Sequence, residues 1–355
     1  MRARRAIFTL GLALAGACAA WGQQPPGGTL DAATKKQVID GAIDHMQRAY
    51  VFADMAEKMA AALRAHQTAK AYDAITSPTE FAETLTRHLQ EVSRDKHLRV
   101  LYNAEGLPQR RAPTPEDRVR QLAEERRRNF GFQRVERLDG NVGYVELLGF
   151  SGSQEVEEAA VPAMNFLSNT DALIFDLRRN GGGSPVTIGW ISSYLFDKVV
   201  HLNDFYIRET DRREEFFTRA EVPGRRYGQT KPVYVLTSNR TFSAAEEFTY
   251  NLKSLKRATI VGETTGGGAH PGGVRRITDH FGIWLPNGRA INPVTGTNWE
   301  GVGIEPDIKV PSAEALRAAH LAALEKIKEA AADARHREEL DRAIAVLKKA
   351  GSAQL

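Results

Sequence analysis

The chain has 355 residues, of which 42% are hydrophobic and 26% charged, which excludes a disordered polymer and allows one large domain plus a small one, or two of moderate size. Its formal charge of +4 comes from 48 basic and 44 acidic residues that are interspersed, so no nucleic-acid partner is implied.

The N-terminus reads as a secretory leader. Arg2, Arg4 and Arg5 precede an apolar stretch from Ala6 to about Ala20, then small residues, then a polar Pro/Gly segment. The apolar run is short for a membrane span. Residues 1–22 are assigned as signal peptide, with cleavage near Ala20 to Gly22. Cys18 is the only cysteine; "LAGAC" faintly resembles a lipoprotein box, but Ala15 replaces the larger residue usual there, so lipidation is the lesser alternative. Cleavage leaves a mature chain with no cysteine, hence no disulfides and no cysteine-ligated metal. An exported, cysteine-free chain points to a bacterial periplasm.

Residues 31 to about 94 carry apolar residues at helical spacing, and Ser77 with Glu80 forms a capping-box signature ahead of one helix. "KHLRVLYN" then alternates like a strand. The polar run over 104–134 reads as a linker and solvated helix face. From Val135 short apolar runs ("NVGYVELLGF", "DALIFDLRRN", "KPVYVLTSN", "RATIVGE") alternate with helical candidates near 154–168, 185–197 and 243–255, which predicts an α/β core. Asn287-Gly288 predicts a hairpin turn. Alanine-rich amphipathic helices close the chain over 313–355.

Five stretches could carry chemistry. "FDLRRNGGGSP" places three glycines after a buried strand; it is neither a P-loop nor a dinucleotide fingerprint, and backbone donors for an oxyanion suit it better. "RTFSAAEEF" holds Ser243 three residues before Glu246. Taken alone that spacing favours a helix cap over a nucleophile, although a serine at a helix start can also present its hydroxyl beside the Ala244 N–H. His97 lies at a helix-to-strand junction, where a lone histidine is usually structural. His270 follows the glycine-dense "GETTGGGAHPGG". Glu300 and Asp307 stand in a turn-rich segment where acids are solvated by default.

In combination and order these stretches resemble the tail-specific, or carboxy-terminal processing, serine peptidases of family forty-one, on the branch of tricorn protease and interphotoreceptor retinoid-binding protein. "DLRRNGGG" is similar to that family's D-L-R-x-N-x-G-G signature, "TSNRTFSAAEEF" to its nucleophile segment, and "GVGIEPDIKV" to its closing motif. The resemblance implies a ClpP/crotonase-like α/β core over 135–312, after a helical domain of the retinoid-binding-protein type over 30–103. Two departures matter. Gly268 stands where the processing peptidases carry their lysine base, so a Ser-Lys mechanism is not expected. No insert between His97 and Val135 is long enough for a PDZ domain.

The resemblance implies a peptidase acting on peptides or unfolded proteins without metal or cofactor. In it Ser243 is the nucleophile, His97 the base and Glu300 the residue that orients the base. The Ala244 N–H and a glycine N–H, preferentially that of Gly182, form the oxyanion hole. Glu246, His270 and Gly183 line the site, and His270 is the alternative base. The competing reading is a non-catalytic binder of hydrophobic ligands of the retinoid or fatty-acid kind on the same fold.

Overall fold

A computed structural model describes residues 30–108 and 112–352. The leader and Cys18 lie outside the described residues. Three helices begin the fold: α1 (Ala32–Ala49), α2 (Ala53–Thr68) and α3 (Pro78–Ser93). Asp31 caps α1 by accepting the Thr34 N–H at 2.7 Å, and Ser77 caps α3 through the Glu80 N–H, with Pro78 preset for the first turn. Each helix buries one stripe: Phe81, Ala82, Leu85 and Leu89 on α3 recur at helical spacing.

These helices do not form a core by themselves. Strand β1 (Arg99–Tyr102) pairs antiparallel with a strand from nearly two hundred residues further on, numbered β10 below. Phe281, Ile283 and Leu285 of that strand lie in the same apolar cluster as Val38, Met46 and Phe81. The N-terminal unit is therefore built around a piece of the C-terminal half. His97, just before β1, is fixed at the seam.

The segment 104–134 is not only a connector. It contains α4 (Pro115–Arg127), opened by a reciprocal box between Thr114 and Asp117, and this helix buries no residue. The main sheet follows: β2 (Phe132–Leu138), β3 (Val142–Leu147), β4 (Ala172–Asp176), β7 (Val233–Thr237), β8 (Thr259–Gly262) and β12 (Ile308–Lys309), in the order β12-β8-β7-β4-β3-β2. Strands β3, β4, β7, β8 and β12 are parallel, and β2 runs antiparallel on the edge. The period of two sorts side chains cleanly. Leu173, Phe175, Val233 and Val235 meet α5 (Glu157–Leu167), α6 (Pro185–Ser193) and α7 (Ala244–Ser254) on one face. Ala172, Ile174, Tyr234 and Leu236 meet α8 (Ala315–Ala330) and α9 (Ala334–Ser352) on the other. A parallel sheet covered on both faces is the mixed α/β fold that the alternating pattern predicts.

Two smaller sheets stand beside it. One is β1-β10-β9, with β9 at Gly272–Arg276 and β10 at Phe281–Pro286; the other is β11-β5-β6, with β5 at His201–Ile207, β6 at Arg212–Phe217 and β11 at Gly288–Ile291. The hairpin expected at Asn287-Gly288 is corrected here. Neither residue adopts the positive φ that a type I′ turn requires. Instead the chain passes from β10 in one sheet to β11 in the other, and the actual hairpin is β9–β10, closed through residues 277–280. Among the described residues no helix is long and apolar enough to cross a membrane.

Candidate active site

Asn180, fully buried, organises the turn after β4. Its side-chain amide donates to the Leu147 carbonyl at 3.1 Å, its Oδ1 accepts the Gly182 N–H at 2.9 Å, and its carbonyl accepts the Phe242 N–H at 3.1 Å. One residue, through its side chain and its backbone carbonyl, thereby ties the glycine loop to the residue before Ser243. Thr241 and Ser238 add bonds to the Leu177 and Arg178 carbonyls at 2.8 and 2.6 Å. Gly182, at φ +115°, lies so close that a Cβ there would stand 2.8 Å from Ser243 Cβ and 3.1 Å from the Ala244 nitrogen. No other residue fits.

Ser243 starts α7 with φ 56° and ψ −122°, a conformation that costs a non-glycine residue about 1–3 kcal/mol and persists only where the surroundings impose it. The imposing group is Glu246. Its carboxylate, fully buried, accepts four hydrogen bonds: from the Ser243 N–H at 2.9 Å, the Thr265 hydroxyl at 2.5 Å, and the Gly267 and Gly268 N–H groups at 2.6 and 2.8 Å. Burial pushes its pKa up, and these four donors pull it back. Three of them are backbone N–H groups, which can only donate, so the ionised form fits this setting. Capping α7 and holding the 265–268 loop are one function of one carboxylate.

A cavity of about 300 Å³ opens at Ser243. Ala244, Gly183, Gly268 and His270 line it, with aromatic walls. Ala244 is the first residue of α7, where an N–H has no intrahelical partner. Gly182, the glycine expected to face an oxyanion, has its N–H engaged by Asn180, whereas Gly183, expected to line the site, lines the cavity.

His97 and His270 have different surroundings. His97 is buried; its ring lies 5.0 Å from Trp284, nearly parallel, and 4.5 Å from Phe242, the neighbour of Ser243. Among the described residues its buried Nδ1 has no hydrogen-bond partner, and burial lowers its pKa to about 4. His270 lines the cavity, and its Nδ1 sits 2.9 Å from Asp95 Oδ2 and 3.5 Å from Glu300 Oε2. Among the described residues neither ring hydrogen-bonds to the Ser243 hydroxyl. Glu300 serves the loop rather than His97: it accepts the Ala269 N–H at 2.5 Å and faces His270, and burial raises its pKa to about 7. The expected contact between Glu300 and the His97 ring is not made.

Asp95 is the residue that sequence reasoning missed. It is 1% exposed, accepts the His97 N–H at 3.0 Å and the Tyr50 hydroxyl at 3.1 Å, and contacts His270. Burial pushes its pKa up, but the hydrogen bond and charge of His270 outweigh this and hold it below the usual carboxylate value. The available signal was the Asp-x-His spacing at residues 95–97. Asp95, His270 and Glu300 also lie close enough together to hold a metal ion. Asp307 is structural: it binds the Ile260 N–H and Lys253.

Gly268 shows why a lysine is excluded at that position. A Cβ there would stand 2.2 Å from the Phe242 ring and 2.7 Å from His97 Cε1. The space where a side chain at 268 would begin is filled by Phe242 and His97.

A serine on a strained strand-to-helix turn, beside a glycine loop and a buried histidine–carboxylate cluster, has the parts that acyl transfer by a serine nucleophile requires. The profile of peptidase family S41 matches residues 141–310, and that of the N-terminal domain of this peptidase in eukaryotic IRBP matches residues 31–130. The chain belongs to peptidase family S41. It is 26% identical over 184 residues to a carboxy-terminal-processing protease of Bartonella bacilliformis, covering 49% of this chain and 40% of that one. It is 30% identical over 178 residues to carboxyl-terminal-processing peptidase 2, chloroplastic, of Arabidopsis thaliana, covering 48% and 32%. The chain thus spans well under half the length of these relatives. In structure it is similar to a lipoprotein from Streptococcus agalactiae, with a TM-score of 0.54 at 17% identity, covering 86% of this chain and 99% of that one; this likeness shows the fold alone.

Proposed function

We propose that the chain hydrolyses peptide bonds through Ser243, with His97 as base. The observation that carries the reading is the coincidence at Gly268: His97 occupies space next to the nucleophile segment that a side chain at 268, where the processing peptidases place their lysine, would require. Ser243 attacks the peptide carbonyl as His97 takes its proton, and the imidazolium then protonates the leaving amine. The N–H groups of Ala244 and Gly183 receive the oxyanion. Asp95 holds the His97 backbone and, with Glu300, sets the position of His270.

The contact of His270 with Asp95 favours a second reading, in which His270 is the base. A base with its tautomer fixed by a buried carboxylate has the usual serine-protease arrangement. Single-turnover kinetics on His97→Ala and His270→Ala separate the two, because removal of the true base costs several orders of magnitude in kcat.

The substrate class is peptides and unfolded proteins, and the chain acts outside the cytoplasm after its leader is removed. Mass measurement of the protein secreted by its host checks the cleavage near Ala20 to Gly22. For the central claim, Ser243→Ala is expected to abolish casein turnover and labelling by a fluorophosphonate while melting within about 2 kcal/mol of the parent. Undiminished turnover by Ser243→Ala would remove this serine from the reaction. A purified parent protein that carries an extractable lipid and resists labelling would establish the hydrophobic-ligand binder instead.

A further inference from the structure

The cavity beside Ser243 is not a featureless apolar slot. Phe205, Phe216 and Trp299 wall it, and Glu247 lines it one helical turn beyond Ser243. Glu247 is 2% exposed, and among the described residues its Oε1 has no hydrogen-bond partner. Asn203 of β5, fully buried, is the one polar side chain that bears on this carboxyl and pulls its pKa down, yet among the described residues neither of its polar atoms reaches a well-formed hydrogen bond. A carboxyl with a buried oxygen left unpaired in such a place is a standing cost, since buried polar groups are nearly always satisfied. Among the described residues the other acid on the cavity wall is Glu214, and no lysine or arginine lines it. Ser243 and Glu247 are four residues apart, so about 6 Å along the helix axis. That matches the reach of a long side chain entering from a carbonyl held at Ser243.

We infer that Glu247 is the floor of the pocket for the residue whose carbonyl Ser243 attacks, and that it selects lysine or arginine there. The inference rests on Ser243 being the nucleophile and specifies the substrate of that same site. A cationic head would supply the missing partner for the carboxylate, and the aromatic walls would face the cation with their rings. An aliphatic side chain of equal length would leave the acid unpaired.

The test uses two fluorogenic peptides differing only in arginine or leucine before the cleaved bond, together with mass-spectrometric mapping of cuts in denatured casein. Arginine is expected to exceed leucine in kcat/KM by about 30-fold or more, the effect of losing one partner of a buried charged pair. Glu247→Gln should erase that ratio and Glu247→Met should invert it, with melting curves reporting that both variants fold. Calorimetry of the Ser243→Ala protein with an arginine peptide gives a readout independent of turnover, and binding should vanish in the Ser243→Ala/Glu247→Gln double variant. Cleavage that depends on Ser243 but ignores the arginine, or a ratio unchanged by Glu247→Gln, overturns the pocket assignment and leaves the peptidase reading standing. Binding that depends on Glu247 in a protein that cleaves nothing supports the pocket and overturns the catalytic reading. Absence of both cleavage and binding overturns both.

Discussion

Glu246 and Glu247 are adjacent on α7, equally buried and chemically identical, yet they belong to opposite regions of the site. Glu246 faces the 265–268 loop and finds four donors. Glu247 faces the cavity, where one of its oxygens has none. A helix turns about 100° per residue, so neighbours necessarily point in different directions. The first carboxylate is spent on assembling the nucleophile and its loop. The second is left for something that is not part of the chain. Satisfaction of hydrogen bonds, more than burial or charge, separates a structural acid from a recognition acid.

The contrast is broken most severely at Glu246. Glu246→Ala leaves four donors without an acceptor in a dry site, and at 1–3 kcal/mol for each unmet group the loss of stability should be about 4 kcal/mol or more. Glu246→Gln should also fail, because its amide NH₂ would face backbone N–H groups; kcat is expected to fall by about 100-fold as Ser243 and the loop relax. Chemical denaturation beside peptide turnover measures both. A Glu246→Gln protein with native stability and rate would refute the clamp.

A pH series sharpens the comparison by sign. His97 has its folded pKa depressed to about 4, so its stabilising contribution is present above about 6.5 and is lost as pH falls towards 4, by at most about 3 kcal/mol. His97→Gln should flatten stability in that window, and turnover should survive acidification below pH 6.5 if this neutral ring is the base. Glu247 behaves oppositely: burial raises its folded pKa to about 8, so stability is highest below about 4.5 and declines as pH rises towards 8. Glu247→Gln should melt close to the parent at pH 5 and above it at pH 8, by about 1–3 kcal/mol. A gap that narrows with rising pH would show that Glu247 already has a partner.

The smallest effect is expected at Ser77, whose single bond to the Glu80 N–H caps α3 far from the cavity. Ser77→Ala should cost about 0.5–2 kcal/mol and leave kcat/KM unchanged, which sets the scale of an ordinary cap against the Glu246 clamp.

The alternating apolar runs alone determined the α/β architecture, because a parallel sheet buried on both faces needs continuous hydrophobic strands between amphipathic helices. The glycine loops, Ser243, His97 and Glu300 also stand out in the sequence, but their roles, and the lysine position that Gly268 takes, come from the family resemblance and not from residue spacing. Tertiary structure decided the rest. The Asp-x-His spacing ties Asp95 to His97 locally, but its role as a hub depends on Tyr50 and His270, which reach it from residues far away in the chain. The Asn287-Gly288 pair looks like a hairpin turn locally but is a crossing between sheets, because β10 finds its partners in β1 and β9. In "SAAEE" the S-x-x-E spacing marks Glu246 as a cap, but nothing marks Glu247 as unsatisfied. Which one is satisfied depends on what folds against each side of the helix, and hydrogen bonding is decided by atoms in space, not by neighbours in sequence.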